Sequence, residues 1–404
     1  MSQTKFGHSF EVQGFLSSVS ISIVAMPAAF VVVLITSISA RSNGVELASL
    51  LFTGPLIGQV IVQPVIAIWM RAVSLQNQAI ITLLVRVVLA LLSLYLVIDL
   101  TAAESALRAR HYAVYGVWMV LGMVDQPLAV RANLLNCRYY NFSFLRSNSI
   151  GSLLGRGSMA LAPLVLLVTT RYVQYTLWAL LILIYLFALY APWQTLRRTK
   201  SGDPCQDRTD AKKRRLHFDR GLSWETWFVL FQFLANASIG AIGFLLLSSS
   251  KYTTLSPPPY SVLYGVFLVV QAVLVLKIVQ LENFATLRTV RNLFLLISIA
   301  VLINGQSNHA ITIMASTIVL GILYSFLLPL LAETVARKIA DHRLPESLML
   351  GKSVGRIASI TSIWLAGWAL GNSIPISLIQ LSFGLIGVIS VVTLVIIERR
   401  LLIQ

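Results

Sequence analysis

The chain has 404 residues, of which 57% are hydrophobic and only 11% charged. Water-soluble domains carry about 25% charged residues, so a soluble enzyme or a soluble binding module is set aside. Formal net charge is +16, from 31 Lys+Arg against 15 Asp+Glu. In a soluble protein such an excess would point to nucleic acid; here its placement along the chain speaks for membrane topology.

Apolar runs of ~20 residues match the ~30 Å hydrocarbon core of a bilayer, and twelve such stretches can be drawn. The first six are Gly14–Ile38, Val45–Met70, Ala79–Leu100, Tyr112–Val130, Phe144–Val168 and Val173–Pro192. After a gap come Trp224–Leu247, Tyr260–Val279, the shorter Val290–Asn304, Ala310–Leu331, Leu348–Leu370 and Ile374–Ile397. The pattern predicts an all-α polytopic membrane protein of 12 transmembrane helices in two pseudo-symmetric six-helix bundles. The bundles cover residues 1–193 and 224–404. Between them residues 194–223 form a cytoplasmic linker crowded with Arg197, Arg198, Lys200, Lys212, Lys213, Arg214 and Arg215. Ser149-Ile150-Gly151 at the start of the fifth span and Ser353-Val354-Gly355 in the eleventh hint at an internal repeat.

With the N-terminus in the cytoplasm, inside segments carry most of the Lys and Arg. Outside loops keep only Arg41, Arg108, Arg110, Arg171 and Lys251. This positive-inside bias predicts that both termini are cytoplasmic. Residues 1–13 are polar and the first apolar run has full span length, so no cleavable signal peptide is expected. The two cysteines, Cys137 and Cys205, fall on cytoplasmic loops, where a structural disulfide is not expected. The basic linker is explained by anionic lipid headgroups beside it, and no nucleic-acid partner is expected.

Ionisable side chains inside a bilayer are costly and are functional candidates by default. Arg86 in span three, Asp125 in span four, Arg156 in span five and Arg356 in span eleven lie too deep to reach the interface easily. Lys352, nearer the cytoplasmic end, can snorkel. Asp125 can approach Arg156 or Arg86. Such a pair either exchanges a proton and gates substrate binding, or locks the N-terminal bundle together. Three arginines against one aspartate leave the interior positive, which favours an anionic or zwitterionic solute if the guanidinium groups line a cavity; contact with lipid phosphates is the competing reading. Gln59 and Gln63 share one face of span two, and Gln232 and Asn236 repeat that spacing in span seven. Gln271, Tyr324, Trp364 and Trp368 add polar edges and flat apolar surfaces. These residues either line a cavity suited to an amphiphilic solute or bridge neighbouring helices. Prolines and glycines within spans, among them Gly54-Pro55, Pro64, Pro163 and Pro329, should face protein or water, because lipid satisfies no freed backbone group. There is no HExxH, no paired cysteine and no Walker-type loop, so no metal, cofactor, ATP hydrolysis or enzymatic activity is expected.

Six plus six spans, a long cytoplasmic middle loop and cytoplasmic termini resemble the major facilitator superfamily over essentially the full length. Locally, Ser256-Pro257-Pro258-Pro259-Tyr260-Ser261-Val262-Leu263-Tyr264-Gly265 is similar to the loop entering the eighth helix of its bacterial drug, siderophore and natural-product exporters, including the microcin type. The stretch from Pro329 through Arg343 to Gly355 is similar to their tenth-to-eleventh helix connection. The family's acidic-basic signature after helix two is reduced to Trp69-Met70-Arg71-Ala72, and the fourth-helix arginine of proton-coupled members would fall near Trp118. The fifth-helix glycine-proline signature survives only loosely, in Gly151, Gly155, Gly157 and Ala162-Pro163.

The resemblance implies a secondary transporter of the bacterial inner membrane, working by alternating access and without cofactors. The expected activity is proton-coupled efflux of a small amphiphilic or anionic natural product, such as a peptide antibiotic, a siderophore or a drug, with self-immunity or antibiotic resistance as its outcome. Import of a sugar or organic anion, and lipid flipping, are the alternatives. The expected partners are the small-molecule or peptide substrate, protons and membrane lipids, with a monomer as the working unit.

Overall fold

The structure is a computed structural model. It describes residues 44–72, 88, 112–113, 115–120, 122–123, 224–248, 267, 269–271, 273–274, 286–338 and 344–403. The first, fifth and sixth expected spans, nearly all of the third and the basic linker lie outside the described residues.

Wherever an expected span is described, it is helical. The elements are α1 (Gly44–Ala72), α2 (Trp224–Ile239), α3 (Ile242–Ser248), α4 (Leu287–Gln306), α5 (Ala310–Lys338), α6 (Leu344–Gly371) and α7 (Ile376–Ile403). Parts of 112–123 and 267–274 add turns of the fourth and eighth spans. The helices overrun the apolar windows: α5 continues past Leu331 to Lys338 and α7 past Ile397 to Ile403. Backbone hydrogen bonding continues for a turn or two where side chains have already become polar, and hydropathy does not register it.

Span seven is the exception to continuity, divided by turn residues Gly240 and Ala241 into α2 and α3. A Cβ on Gly240 would lie 2.8 Å from the Cα of Ser359 in α6. Glycine there lets the two backbones approach.

Helices α4 to α7 each carry a buried stripe and an apolar outward stripe at the helical period. In α4, Val290, Phe294, Ile297 and Val301 are buried while Leu295, Leu296, Ile299 and Ile303 are exposed. In α7, Leu378, Leu381, Leu385, Val388, Val392 and Ile396 face outward. Water would penalise such faces heavily; acyl chains match them. Three stretches, Phe228–Leu246, Leu287–Gln306 and Ile376–Ile396, are long and apolar enough to cross a membrane.

Among the described residues, α4 sits between α5 and α7, α2 packs on α6 and α7, and α6 also packs on α1. Phe231 of α2 meets Phe294 of α4 edge to face, with centroids 5.6 Å apart. One end of the α4–α5–α7 group is tied by a buried amide network. Gln380 Nε2 donates to Asn304 Oδ1 at 3.2 Å, and Asn304 Nδ2 donates to Ser316 Oγ at 2.8 Å and Thr317 Oγ1 at 3.2 Å. The opposite end is tied by charge, with Arg291 bonded to Glu398 and Arg288 Nε 3.9 Å from the same carboxylate.

The turn from α6 to α7 is tight. The N–H of Ile374 bonds to the carbonyl of Ala369 at 2.9 Å and that of Ser373 to Leu370 at 3.1 Å, with Ser373 left-handed at φ 59°. This is a Schellman ending with serine where glycine is usual, and Pro375 prevents the helix from continuing.

Two stability measurements follow from this packing. Ser373→Gly removes the left-handed penalty and is expected to stabilise the protein by about 1 kcal/mol, read as a raised Tm in detergent. Asn304→Ala leaves the Gln380 amide without its acceptor and is expected to cost about 1–2 kcal/mol, read as a lowered Tm.

Candidate functional site

Helix α1 belongs to the first half of the sequence and has two working faces. One carries Gly54 and Gly58, four residues apart, and lies against the fourth span. A Cβ on Gly58 would fall 1.8 Å from the carbonyl oxygen of Met119, and one on Gly122 would fall 2.0 Å from that of Pro55. These are backbone-to-backbone contacts, the small-residue mode of membrane helix association. The other face carries Ser49 and Thr53 and meets α6, from the second half. Trp364 Nε1 donates to Thr53 Oγ1 at 2.9 Å, and a Cβ on Gly367 would touch Ser49 at 2.5 Å. Phe52 meets Phe244 of α3, centroids 6.1 Å apart. The Gly44 end of α1 is therefore closed against the second half.

Helix α6 also packs on α2 within its own half. Gly351 receives Phe228 and Gln232, and Gly355 receives Asn236, whose Nδ2 would lie 2.5 Å from an added Cβ. Asn236 Nδ2 donates to the carbonyl of Gln232 at 2.8 Å and to its Oε1 at 3.1 Å. The two amides thus bond each other along α2 while lying over the α6 glycines.

The angular positions on α6 locate its cations. With Gly351 at zero and about 100° per residue, the side facing α2 (Gly351, Gly355, Ser359) spans about 0–80°. The side facing α1 (Gly367, Trp364) lies at about 160–220°. Lys352 and Arg356 fall between, at about 100° and 140°, in the sector enclosed by α2 on one side and α1 on the other. Toward the Gly371 end this sector is filled by Ile363, fully buried. Toward the Leu344 end Lys352 is exposed among the described residues. Arg356 is half-buried, its Nη1 enclosed. The outward stripe of α6 is at about 240–320° and holds Leu350, Ile357, Leu365 and Trp368, all exposed.

The other candidates distribute as follows. Gln59 is half-buried on α1, two turns along from Phe52; Gln63 belongs to the same helix. Gln232 and Asn236 come together over the α6 glycines at the α2–α6 seam, and Arg356 is half-buried on α6. Trp364 bridges to α1, and Trp368 lies on the outward stripe. Gln271 and Tyr324 belong to a separate seam between the eighth span and α5, where Phe267 stacks 6.0 Å from Tyr324. Gln271 is buried there, with its Nε2 lacking an acceptor among the described residues. Asp125, Arg156 and Arg86 lie outside the described residues. The extension of α5 adds Glu333, a buried carboxyl beyond the apolar window of span ten. Sequence reasoning passed over Ser49, Thr53, Gly351 and Gly367. The four-residue glycine spacing in α1 and α6 was the available signal.

Gly58→Ala must drive α1 away from the fourth span. The expected cost is about 3 kcal/mol, measured as a loss of Tm and of monodisperse yield. Thr53→Val removes the acceptor for Trp364 together with the hydroxyl's own bond to the Leu50 carbonyl and is expected to cost about 1 kcal/mol.

No protein-family model and no curated protein sequence matches the chain. Solved structures do. A bacterial homologue of the iron transporter ferroportin, in an outward-facing state, superposes with a TM-score of 0.68 at 15% identity, covering 96% of this chain and 99% of its own. A D-xylose–proton symporter gives 0.69 at 11% identity, over 95% and 96%. The human organic anion transporter MFSD10 gives 0.61 at 12%, over 96% and 99%. At these identities the likeness speaks for architecture, and it extends over nearly the whole of each chain: this protein has the all-helical major facilitator fold.

Proposed function

We propose that the chain is a secondary active transporter of the bacterial inner membrane that works by alternating access. What supports the reading is the contact of α1, from the first half of the sequence, with α6, from the second, through Trp364 and Thr53, since a carrier's substrate path runs between such halves. The similar structures, an iron transporter homologue, a sugar–proton symporter and an organic anion transporter, support transport as the activity class.

Within that reading, both termini face the cytoplasm, as the Lys and Arg distribution favours. The solute is small and amphiphilic or anionic, and a peptide antibiotic, siderophore or drug meets that description. It moves outward in exchange for protons, with Asp125 and a neighbouring arginine, Arg156 or Arg86, as the proton-linked pair. Gln59, Gln232, Asn236 and Arg356 supply polar contacts along the path. Efflux of a host's own toxin would also confer immunity.

Direction and coupling are separable by measurement. Cells expressing the gene are expected to tolerate higher concentrations of the transported compound than cells without it; increased sensitivity would instead identify an importer. In everted vesicles an uncoupler is expected to abolish accumulation. Asp125→Asn is expected to remove the response to the proton gradient, and unchanged gradient-driven transport in that variant would refute the assignment of this residue.

A further inference from the structure

We infer that the outer face shared by α4 and α7 seats one anionic phospholipid, with Arg288 and Arg399 holding its phosphate. The site depends on the chain spanning a bilayer in the proposed topology, and not on what it carries. On α4 the exposed Ile299, Leu295, Asn292 and Arg288 fall within about 60° of arc. On α7 the exposed Val388, Val392, Ile396 and Arg399 fall within about 80°. The two helices are antiparallel neighbours, and the start of one lies beside the end of the other. Arg291 bonds Glu398, and Arg288 Nε stands 3.9 Å from the same carboxylate. Arg288 and Arg399 therefore close two adjoining apolar stripes at one level. From Leu378 to Ile396 the α7 stripe is about 27 Å long at 1.5 Å per residue, close to the ~30 Å hydrocarbon core. Arg399, one turn further, stands at the depth of the phosphates.

Charge at this end is unbalanced. Three arginines stand around one carboxylate, and Arg291 already bonds it. Arg288 has a side chain 75% exposed, and so open a pair at 3.9 Å holds its charge only weakly. Arg399 is exposed as well, and among the described residues the ion pairs at this end are those to Glu398. Arg288 also stands in the first turn of α4, where the helix dipole disfavours a cation, so helix stability does not account for its place. A phosphodiester carrying acyl chains answers both features. Its oxyanion takes charge-assisted bonds from the guanidinium groups, and its chains lie along faces that water would penalise. On the proposed topology this end meets the cytoplasmic leaflet, where anionic lipids lie.

The test uses the full-length protein in vesicles, with both native cysteines changed to serine and Leu295→Cys carrying a bimane. Quenching is measured in mixtures of phosphatidylglycerol and phosphatidylcholine, with the acyl chains of first one lipid and then the other brominated. Phosphatidylglycerol is expected to be favoured beside the label by about tenfold. Arg288→Gln combined with Arg399→Gln is expected to bring the two lipids to near parity. Equal quenching with both arginines present, or an undiminished preference in the glutamine pair, would overturn the site. Arg399→Gln alone, which disturbs no described bond, is expected to lower the preference at least about twofold; no change would refute the assignment. Native mass spectrometry needs no cysteine variant. The wild type is expected to retain one more phosphatidylglycerol than the glutamine pair, and an equal number would count against the site. Loss of the preference in inorganic phosphate would give the arginines to a soluble anion, and disulfide-linked dimers of unlabelled Leu295→Cys would give the face to a second copy. Either result overturns the lipid assignment. Selection of phosphatidylglycerol by a protein that moves no solute would sink the carrier reading and leave this site standing.

Discussion

Helix α6 approaches one helix from each half of the molecule with glycine at the contacts. Between two helices immersed in acyl chains there is no hydrophobic gain from association, because lipid is as apolar as leucine. What holds them is dispersion at short range and a few hydrogen bonds, and both require small side chains at the seam. Gly351 and Gly355 meet this requirement toward α2, and Gly367 toward α1. The position of every candidate residue on α6 follows from these two contacts, since together they fix which sector of the helix is left to look between them.

The two contacts differ in kind. Within the second half, α2, α4 and α7 are joined by large buried aromatics such as Phe231 and Phe294 and by serine seams, with Ser238 Oγ donating to the carbonyl of Phe383 at 2.7 Å. Between the halves, the described contact of α1 with α6 includes Ser49, Thr53, Trp364 and Gly367 beside buried apolar residues such as Ala48 and Leu51.

Much of the fold was legible from the residues. Length and hydropathy located each described helix because a bilayer imposes a minimum apolar run, and that constraint acts on composition alone. The ends of α5 and α7 were not legible, since helical hydrogen bonding needs no apolar side chain. Nor was the break at Gly240, where Ser359 approaches from a helix more than a hundred residues away in sequence. For the candidate site, spacing placed Gln232 and Asn236 on one face correctly, but a lone helix does not reveal which neighbour that face will meet. Lys352 is the instructive case. Depth along the span makes snorkelling to the interface the ordinary expectation, while its angular position between the α1 and α2 seams is a property of three helices jointly and was not legible. Trp364 and Trp368 share a similar depth, yet the four-residue step between them turns the second away toward the outer face.

The division of span seven gives its two pieces different allegiances. Below Gly240, α2 lies over the glycines of α6 and bonds to α7; above it, Phe244 in α3 leans on Phe52 of α1. An unbroken rod would have to carry both attachments as a single lever, so that any tilt at one tip would be transmitted in full to the other. With a joint near its middle, the upper stub can remain seated as a plug while the lower shaft realigns, and the register of the whole column need not be disturbed.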